Sequence, residues 1–279
     1  MALSVVVIQV ILFGVVGMVC AIAAGKAQPN LGAIQQPAVL AVVNLIASAT
    51  ICAWGYAANR VSWRELFPLG PVSIGAFGPI VLSVFGLGLV LSEVDDITRM
   101  VLPMPEAVRV QFRSLTTNAA HPVEAFLLLT VIAPLTEEPV FRGIILRGLG
   151  ARYRPVAAIL LSSLLFGLSH FNPWQFLGPA ALGVLVGWFF LRTHSLVPAL
   201  FAHALNNALA FGSSFAPWSI PGWTGTGEGP AVHQPWWLTL GGLALLALGV
   251  WSFRKATPPA QPPPLPPDCG APIEPPVLS

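Results

Sequence analysis

Charge is what this sequence has least of. Eleven Asp and Glu and thirteen Lys and Arg make up 9% of its 279 residues, against about 25% in soluble domains. A water-facing surface cannot be built from so few charges, which excludes an ordinary soluble protein. The net charge of +2 comes with no basic cluster, which excludes nucleic acid as a partner. Cysteine is nearly absent. Cys20, Cys52 and Cys269 have no metal or redox spacing, and Cys20 and Cys52 lie in apolar runs as small hydrophobes.

What is present is apolar. Hydrophobic residues make up 55% of the chain and the mean hydropathy is +0.77. Spanning helices need runs of about 17–25 apolar residues. Eight stretches qualify: 3–24, 38–57, 69–92, 121–147, 155–171, 174–191, 195–214 and 235–253. The expected fold is therefore an all-α, polytopic membrane bundle of about eight transmembrane helices. Ala21-Ile22-Ala23 resembles a signal-peptide cleavage site, but no Lys or Arg precedes the first run, so it is read as a span.

Eight spans put both termini on one side. That side collects eight Lys and Arg (Arg60, Arg64, Arg147, Arg152, Arg154, Arg192, Arg254, Lys255). The other collects Lys26, Arg99, Arg109 and Arg113, while Arg142 lies within a span. The positive-inside rule places both termini in the cytoplasm, in a cell membrane. Residues 1–120 form an N-terminal transmembrane scaffold, with 93–120 as a connection lying along the interface. Residues 121–214 hold most of the unusual polar side chains. Residues 215–255 give an external loop and the last helix, with Trp236-Trp237 as an interface anchor. The ten prolines of 256–279 mark a disordered tail. Gly183-Val-Leu-Val-Gly187 fits small-residue helix packing.

Within the fourth span stand Glu137 and Glu138, side by side. Each costs roughly 2.5–3.5 kcal/mol to insert, so both must pair or act. Glu138 and Arg142 are four apart, in the favourable order for an ion pair on one helix face. Glu137 points about 100° away and stays free. Pro134 and Pro139 each remove a backbone hydrogen bond, which predicts a kink or opening there. The next span ends in Phe166-Gly-Leu-Ser-His170, and the seventh contains His203-Ala-Leu-Asn-Asn207. Each pair shares a helix face at i, i+4.

Two Glu, two His and an Asn from three helices exceed what packing needs. Two chemistries use that set. In one, Glu137 with His170 polarises a water, and His203 with Asn207 donates to the developing oxyanion. In the other, Glu137, His170 and His203 hold a divalent metal such as zinc, which activates the water. Both hydrolyse an amide inside the bilayer. A proton-coupled transporter and a catalytically idle scaffold are the alternatives; the first predicts an internal repeat, and none is found. Counted from the cytoplasmic helix ends, Glu137 lies at roughly 15 Å, His203 at roughly 12 Å and His170 at roughly 22 Å. These meet only if the fifth span tilts or starts deeper.

The motifs Glu137-Glu138-Pro-Val-Phe-Arg142, Phe166-Gly-Leu-Ser-His170 and His203-Ala-Leu-Asn-Asn207 resemble those of the type II CAAX prenyl protease and bacteriocin-processing (Abi) family of intramembrane proteases. The likeness covers about 121–212, a third of the chain. It implies a membrane endopeptidase of about eight spans, acting on a membrane protein or a lipidated peptide, in a bacterial inner membrane. It implies that Glu137 and His170 activate water, that His203 and Asn207 stabilise the oxyanion, and that Glu138 and Arg142 shape the site. It leaves the metal open.

Overall fold

A computed structural model describes residues 36–59, 61–115, 121–223 and 231–257. The expected first span, 3–24, lies outside them, as does the proline-rich tail from 258. All regular structure among the described residues is helical. Helix α1 is Pro37–Asn59 and a short α2 is Trp63–Leu66. A 3-10 turn, Ile74–Ala76, leads into α3, Phe77–Val101, and α4 is Glu106–Leu115. Helix α5 runs from 122 to 150, α6 is Pro155–Leu168, α7 is Leu177–Thr193, α8 is Val197–Ser213 and α9 is Trp236–Ala256.

Among the described residues, four helices are long and apolar enough to cross a membrane: Pro37–Ala58, Ile74–Val101, Pro173–Thr193 and Trp236–Ala256. Only 17% of the apolar window of α9 is buried within the protein. Leu240, Leu243, Leu248 and Trp251 point outward, and such a face needs lipid. Helices α6 and α8, of 14 and 17 residues, are shorter than the expected spans.

Two expectations are corrected. The polar connection from residue 93 begins instead at 102, because α3 continues to Val101. Its charges pair along the helix: Arg99 reaches Asp95 at 2.9 Å and Asp96 at 2.5 Å, so the turn is not forced out into water. The prolines of α5 do not open it. The helix stays continuous and widens into π turns at Leu128–Ile132, just before Pro134, and at Pro139–Leu146. A π turn shifts the hydrogen-bond register past a residue that lacks an N–H, so a widened turn takes the place of a break.

Glycine sets the closest contacts. A methyl group on Gly86 of α3 would lie 2.4 Å from the Leu246 backbone nitrogen of α9, and one on Gly249 would lie 2.5 Å from that of Ser83. In the Gly183–Gly187 pair, Gly183 faces Ser163 and Gly187 faces Ile159, both on α6, the close helix contact that small residues permit. Two apolar cores result. One joins α1, α2, α5 and α6 through Ile51, Phe67, Phe141, Ile144 and Phe166. The other joins α3, α7, α8 and α9 through Val84, Val186, Phe189, Ala202 and Phe253. Pinned contacts define the two ends of the bundle. Arg192 donates to the Arg254 carbonyl at 2.8 Å and Arg147 to the Glu65 carbonyl at one end. Trp174 donates to the Leu102 carbonyl at 2.7 Å at the other.

Candidate active site

The two glutamates lie in the α-helical stretch Ala133–Glu138 between the π turns of α5. Glu138 is 0% exposed and Arg142 is 1% exposed. Arg142 Nε stands 3.0 Å from Glu138 Oε2. The contact is an ion pair without a well-aimed hydrogen bond, since the guanidinium nitrogens and Oε2 have no hydrogen-bond partner among the described residues. The guanidinium instead lies over the Phe166 ring, 4.9 Å from its centroid, a cation–π contact.

Glu138 has a second partner. His203 Nδ1 donates to Glu138 Oε1 at 2.7 Å. That bond fixes the ring: Nδ1 carries a proton, and Nε2 is left to face Glu137 Oε2 at 3.9 Å. His203 is 3% exposed, while the Glu137 side chain is 26% exposed. The adjacent carboxylates thus have opposite surroundings, one sealed between a guanidinium and an imidazole and one open to a cavity.

His170 lies just beyond the end of α6. Its Nδ1 donates to the Phe166 carbonyl at 3.0 Å, as a carbonyl can only accept, so its Nε2 is also left free. The chain then reverses at Phe171, whose φ of +50° is left-handed, a conformation costing roughly 1–2 kcal/mol for a residue with a Cβ. Asn172 caps the following turn by accepting from Trp174 N–H at 3.0 Å. The Phe166 ring stands between the two imidazoles, 5.3 Å from His170 and 5.7 Å from His203.

These groups share one cavity of about 890 Å³. Glu137, His170, His203, Asn206 and Asn207 line it. Its wall is otherwise largely apolar, with Phe85, Leu89, Phe112, Trp218 and Trp223. The structure thus brings Glu137, His170, His203 and Asn207 to a common space, despite their unequal expected depths. Glu138 and Arg142 stand behind them and form the buried backing. Among the described residues, no group of three or more His, Cys, Asp or Glu is arranged to hold a metal ion. The Glu137, His170 and His203 set has the chemistry of zinc ligands but does not converge as ligands must.

Several participants escape the sequence motifs. Asn206 lines the cavity, and its Nδ2 lies 3.2 Å from Asn207 Oδ1. Asn207 Nδ2 donates to the Leu129 carbonyl at 2.9 Å. Ser48 of α1 donates to the Thr136 carbonyl at 2.6 Å and ties α1 to the glutamate stretch. No spacing within one helix signals the Asn207–Leu129 and Ser48–Thr136 bonds, because each joins two different helices. Adjacent asparagines on a cavity-facing helix were the one available hint of Asn206.

No curated protein and no solved structure matches the chain. Residues 119–209 match a family model described as Rce1-like, type II CAAX prenyl endopeptidase Rce1-like. This stretch contains α5 through most of α8 and every cavity residue of the three motifs. Over these residues, a third of the chain, the protein is similar to the Rce1-like type II CAAX prenyl endopeptidases.

Proposed function

We propose that this protein is an intramembrane endopeptidase that hydrolyses a peptide bond in a membrane-embedded or lipidated substrate. The observation that carries this reading is the 3.9 Å gap between Glu137 Oε2 and His203 Nε2 at a largely apolar cavity. A water seated there, with a peptide carbonyl beside it, has a base on one side and an imidazole on the other. Glu137 takes the water's proton as the oxygen attacks the carbonyl carbon. His170 Nε2 orients the same water. The tetrahedral oxyanion receives N–H bonds from the asparagine amides, while His203, its Nδ1–H held by Glu138, keeps Nε2 toward Glu137. Glu137 then passes its proton to the leaving amine as the C–N bond breaks.

Glu138 and Arg142 do not reach the water. Glu138 holds His203 in the Nδ1–H tautomer, the role of an orienting carboxylate behind a catalytic histidine. Arg142 neutralises Glu138, and Phe166 packs against Arg142 and both imidazoles. The apolar wall, rich in tryptophan and phenylalanine, suits a lipid-modified or transmembrane peptide, in keeping with the substrate class of the family. With the Arg-rich end in the cytoplasm, the stretch that carries Trp218 and Trp223 faces the opposite side of the membrane.

The test uses purified protein in lipid nanodiscs with a farnesylated peptide and a single-span peptide, each labelled across the cleaved region. Glu137→Gln removes the base and keeps the shape. It is expected to lower kcat at least about 100-fold, the scale of general-base catalysis, with an unchanged melting temperature. A Glu137→Gln protein that cleaves at the wild-type rate refutes the mechanism.

A further inference from the structure

Helix α1 lies outside the stretch that carries the three motifs, yet it brings a polar side chain to the cavity. The apolar span Pro37–Ala58 contains Asn44, Ser48 and Thr50. Thr50 donates to the Ile46 carbonyl at 2.8 Å, and Ser48 to the Thr136 carbonyl at 2.6 Å. Asn44 is half-buried and has no hydrogen-bond partner among the described residues. With Leu40, one turn away on the same face, it lines the cavity that Glu137 enters. An unpaired amide in an apolar span is costly unless something else completes it.

Two contacts give the register of α1 against α5. Ser48 meets Thr136, and a methyl group on Gly55 would lie 2.6 Å from the Ile144 side chain. Both numbers rise together, so the two helices run in the same direction. Asn44 stands one turn before Ser48, about 5.4 Å along the axis. That puts it level with the turn of α5 at Ala133, which also lines the cavity. Helical side chains lean toward the N-terminus of their helix, so the Glu137 carboxylate leans toward that turn as well. Asn44 and Glu137 thus face the cavity at one level, from two helices, without bonding to each other.

A substrate supplies what Asn44 lacks. A peptide crossing a membrane as a helix has its backbone N–H and C=O groups paired internally, and a turn must unwind before its carbonyl can be attacked. Each unwound residue then brings an unpaired donor and acceptor into a largely apolar space. A primary amide carries one acceptor and two N–H donors side by side and can match both. We propose that Asn44 is a substrate-binding residue whose amide pairs with the backbone N–H and C=O of one unwound residue beside the cleaved bond. The assignment rests on the proteolytic reading above. It names what this wall of the site recognises: the main chain of an opened, extended peptide segment.

The experiment uses the full chain in nanodiscs with the single-span and farnesylated peptides, read by kcat, KM and melting temperature. Asn44→Leu is expected to raise KM about 10-fold with kcat within about threefold, the pattern of a contact made equally in the ground and transition states. Its melting temperature stays within about 2 °C of wild type or rises, because no described protein partner is lost. Asn44→Ala gives the same KM. A second arm replaces single backbone N–H groups of the single-span peptide by ester oxygens, one residue at a time on either side of the cleaved bond. At one position the ester raises the wild-type KM several-fold and leaves the Asn44→Leu KM unchanged, since that bond is already gone.

A KM for Asn44→Leu within about twofold of wild type overturns the assignment, whatever happens to kcat. So does an ester scan whose effects are the same in both proteins at every position. A melting temperature lowered by more than about 5 °C in both Asn44→Leu and Asn44→Ala makes Asn44 a structural residue and overturns it too. A wild-type protein that cleaves neither peptide overturns the proteolytic reading and the role of Asn44 with it, whereas active wild type with an indifferent Asn44→Leu overturns the role of Asn44 alone.

Discussion

Removing the Glu138 carboxylate is the severest test of how the site is held. Glu138→Ala leaves the Arg142 charge, 1% exposed, without its ion-pair partner at 3.0 Å. It also leaves His203 Nδ1 without its acceptor at 2.7 Å. Breaking a buried pair from one side costs about 3–5 kcal/mol. The Phe166 ring lies 4.9 Å from the guanidinium before and after the change, so the cation–π contact offsets none of that cost. At about 2–4 °C per kcal/mol for a chain of roughly this size, the melting temperature should fall by about 5–20 °C. Tryptophan fluorescence or light scattering during a thermal ramp in nanodiscs reads this directly.

Two companion variants separate charge from shape. Glu138→Gln keeps an acceptor for His203 but strips the charge, so it should melt between wild type and Glu138→Ala. Glu138→Leu combined with Arg142→Leu removes both charges, and apolar replacement of a buried pair is commonly neutral or stabilising by about 1–4 kcal/mol. That double variant should melt above Glu138→Ala while remaining inactive, because nothing then fixes the His203 tautomer. The reasoning is refuted if Glu138→Ala melts within about 2 °C of wild type, a loss under about 1 kcal/mol, or if the double variant melts below it.

Other consequences follow from single contacts. Gly86→Ala would press a methyl into the α9 backbone at 2.4 Å and should cost about 1–3 kcal/mol, whereas Gly88→Ala meets nothing within 4 Å and should melt at or above wild type; equal melting of the two would refute the close α3–α9 contact. Gln234 donates to the Leu89 carbonyl at 2.9 Å and to Thr239 at 2.8 Å, and accepts from Ser92 at 2.8 Å. Gln234→Leu should therefore cost about 1–3 kcal/mol, read as a lower melting temperature. Because the described residues do not converge on a metal ion, chelation should leave peptide cleavage unchanged. Activity lost to a chelator and restored by zinc would replace the glutamate-driven mechanism with a metal-driven one.

The parts of the site that follow helix periodicity were legible in the sequence. Glu138 and Arg142 pair at i, i+4, and Phe166 and His170 meet at i, i+4. Four apolar stretches match helices able to cross a membrane. What the sequence hid depends on contacts between helices. The partner of Glu138 at Oε1 is His203, 65 residues away, and no local pattern marks that bond. The sequence marked His203 as a candidate oxyanion donor and gave no sign that Glu138 holds its imidazole. Relative depth was hidden for the same reason: residues expected at unequal depths line one cavity, and His170 does so from past the end of α6, on the turn that Phe171 reverses.

The prolines show most plainly how a membrane helix can carry this site. An opened helix would leave several carbonyls unpaired in an apolar interior, at a cost of several kcal/mol each. A π turn leaves fewer, and the carbonyl opposite Pro134, that of Leu129, finds its donor on α8. Continuity of α5 between the two π turns also keeps Glu137 and Glu138 about 100° apart. That angle allows Glu138 to be closed between Arg142 and His203 while Glu137 reaches the cavity. A true break would let the two carboxylates turn independently, and two free carboxylates at one wet site would repel and share a proton. The proline pair therefore contributes division of labour as well as shape: it permits a locally altered helix that still holds one glutamate fixed and the other available to water.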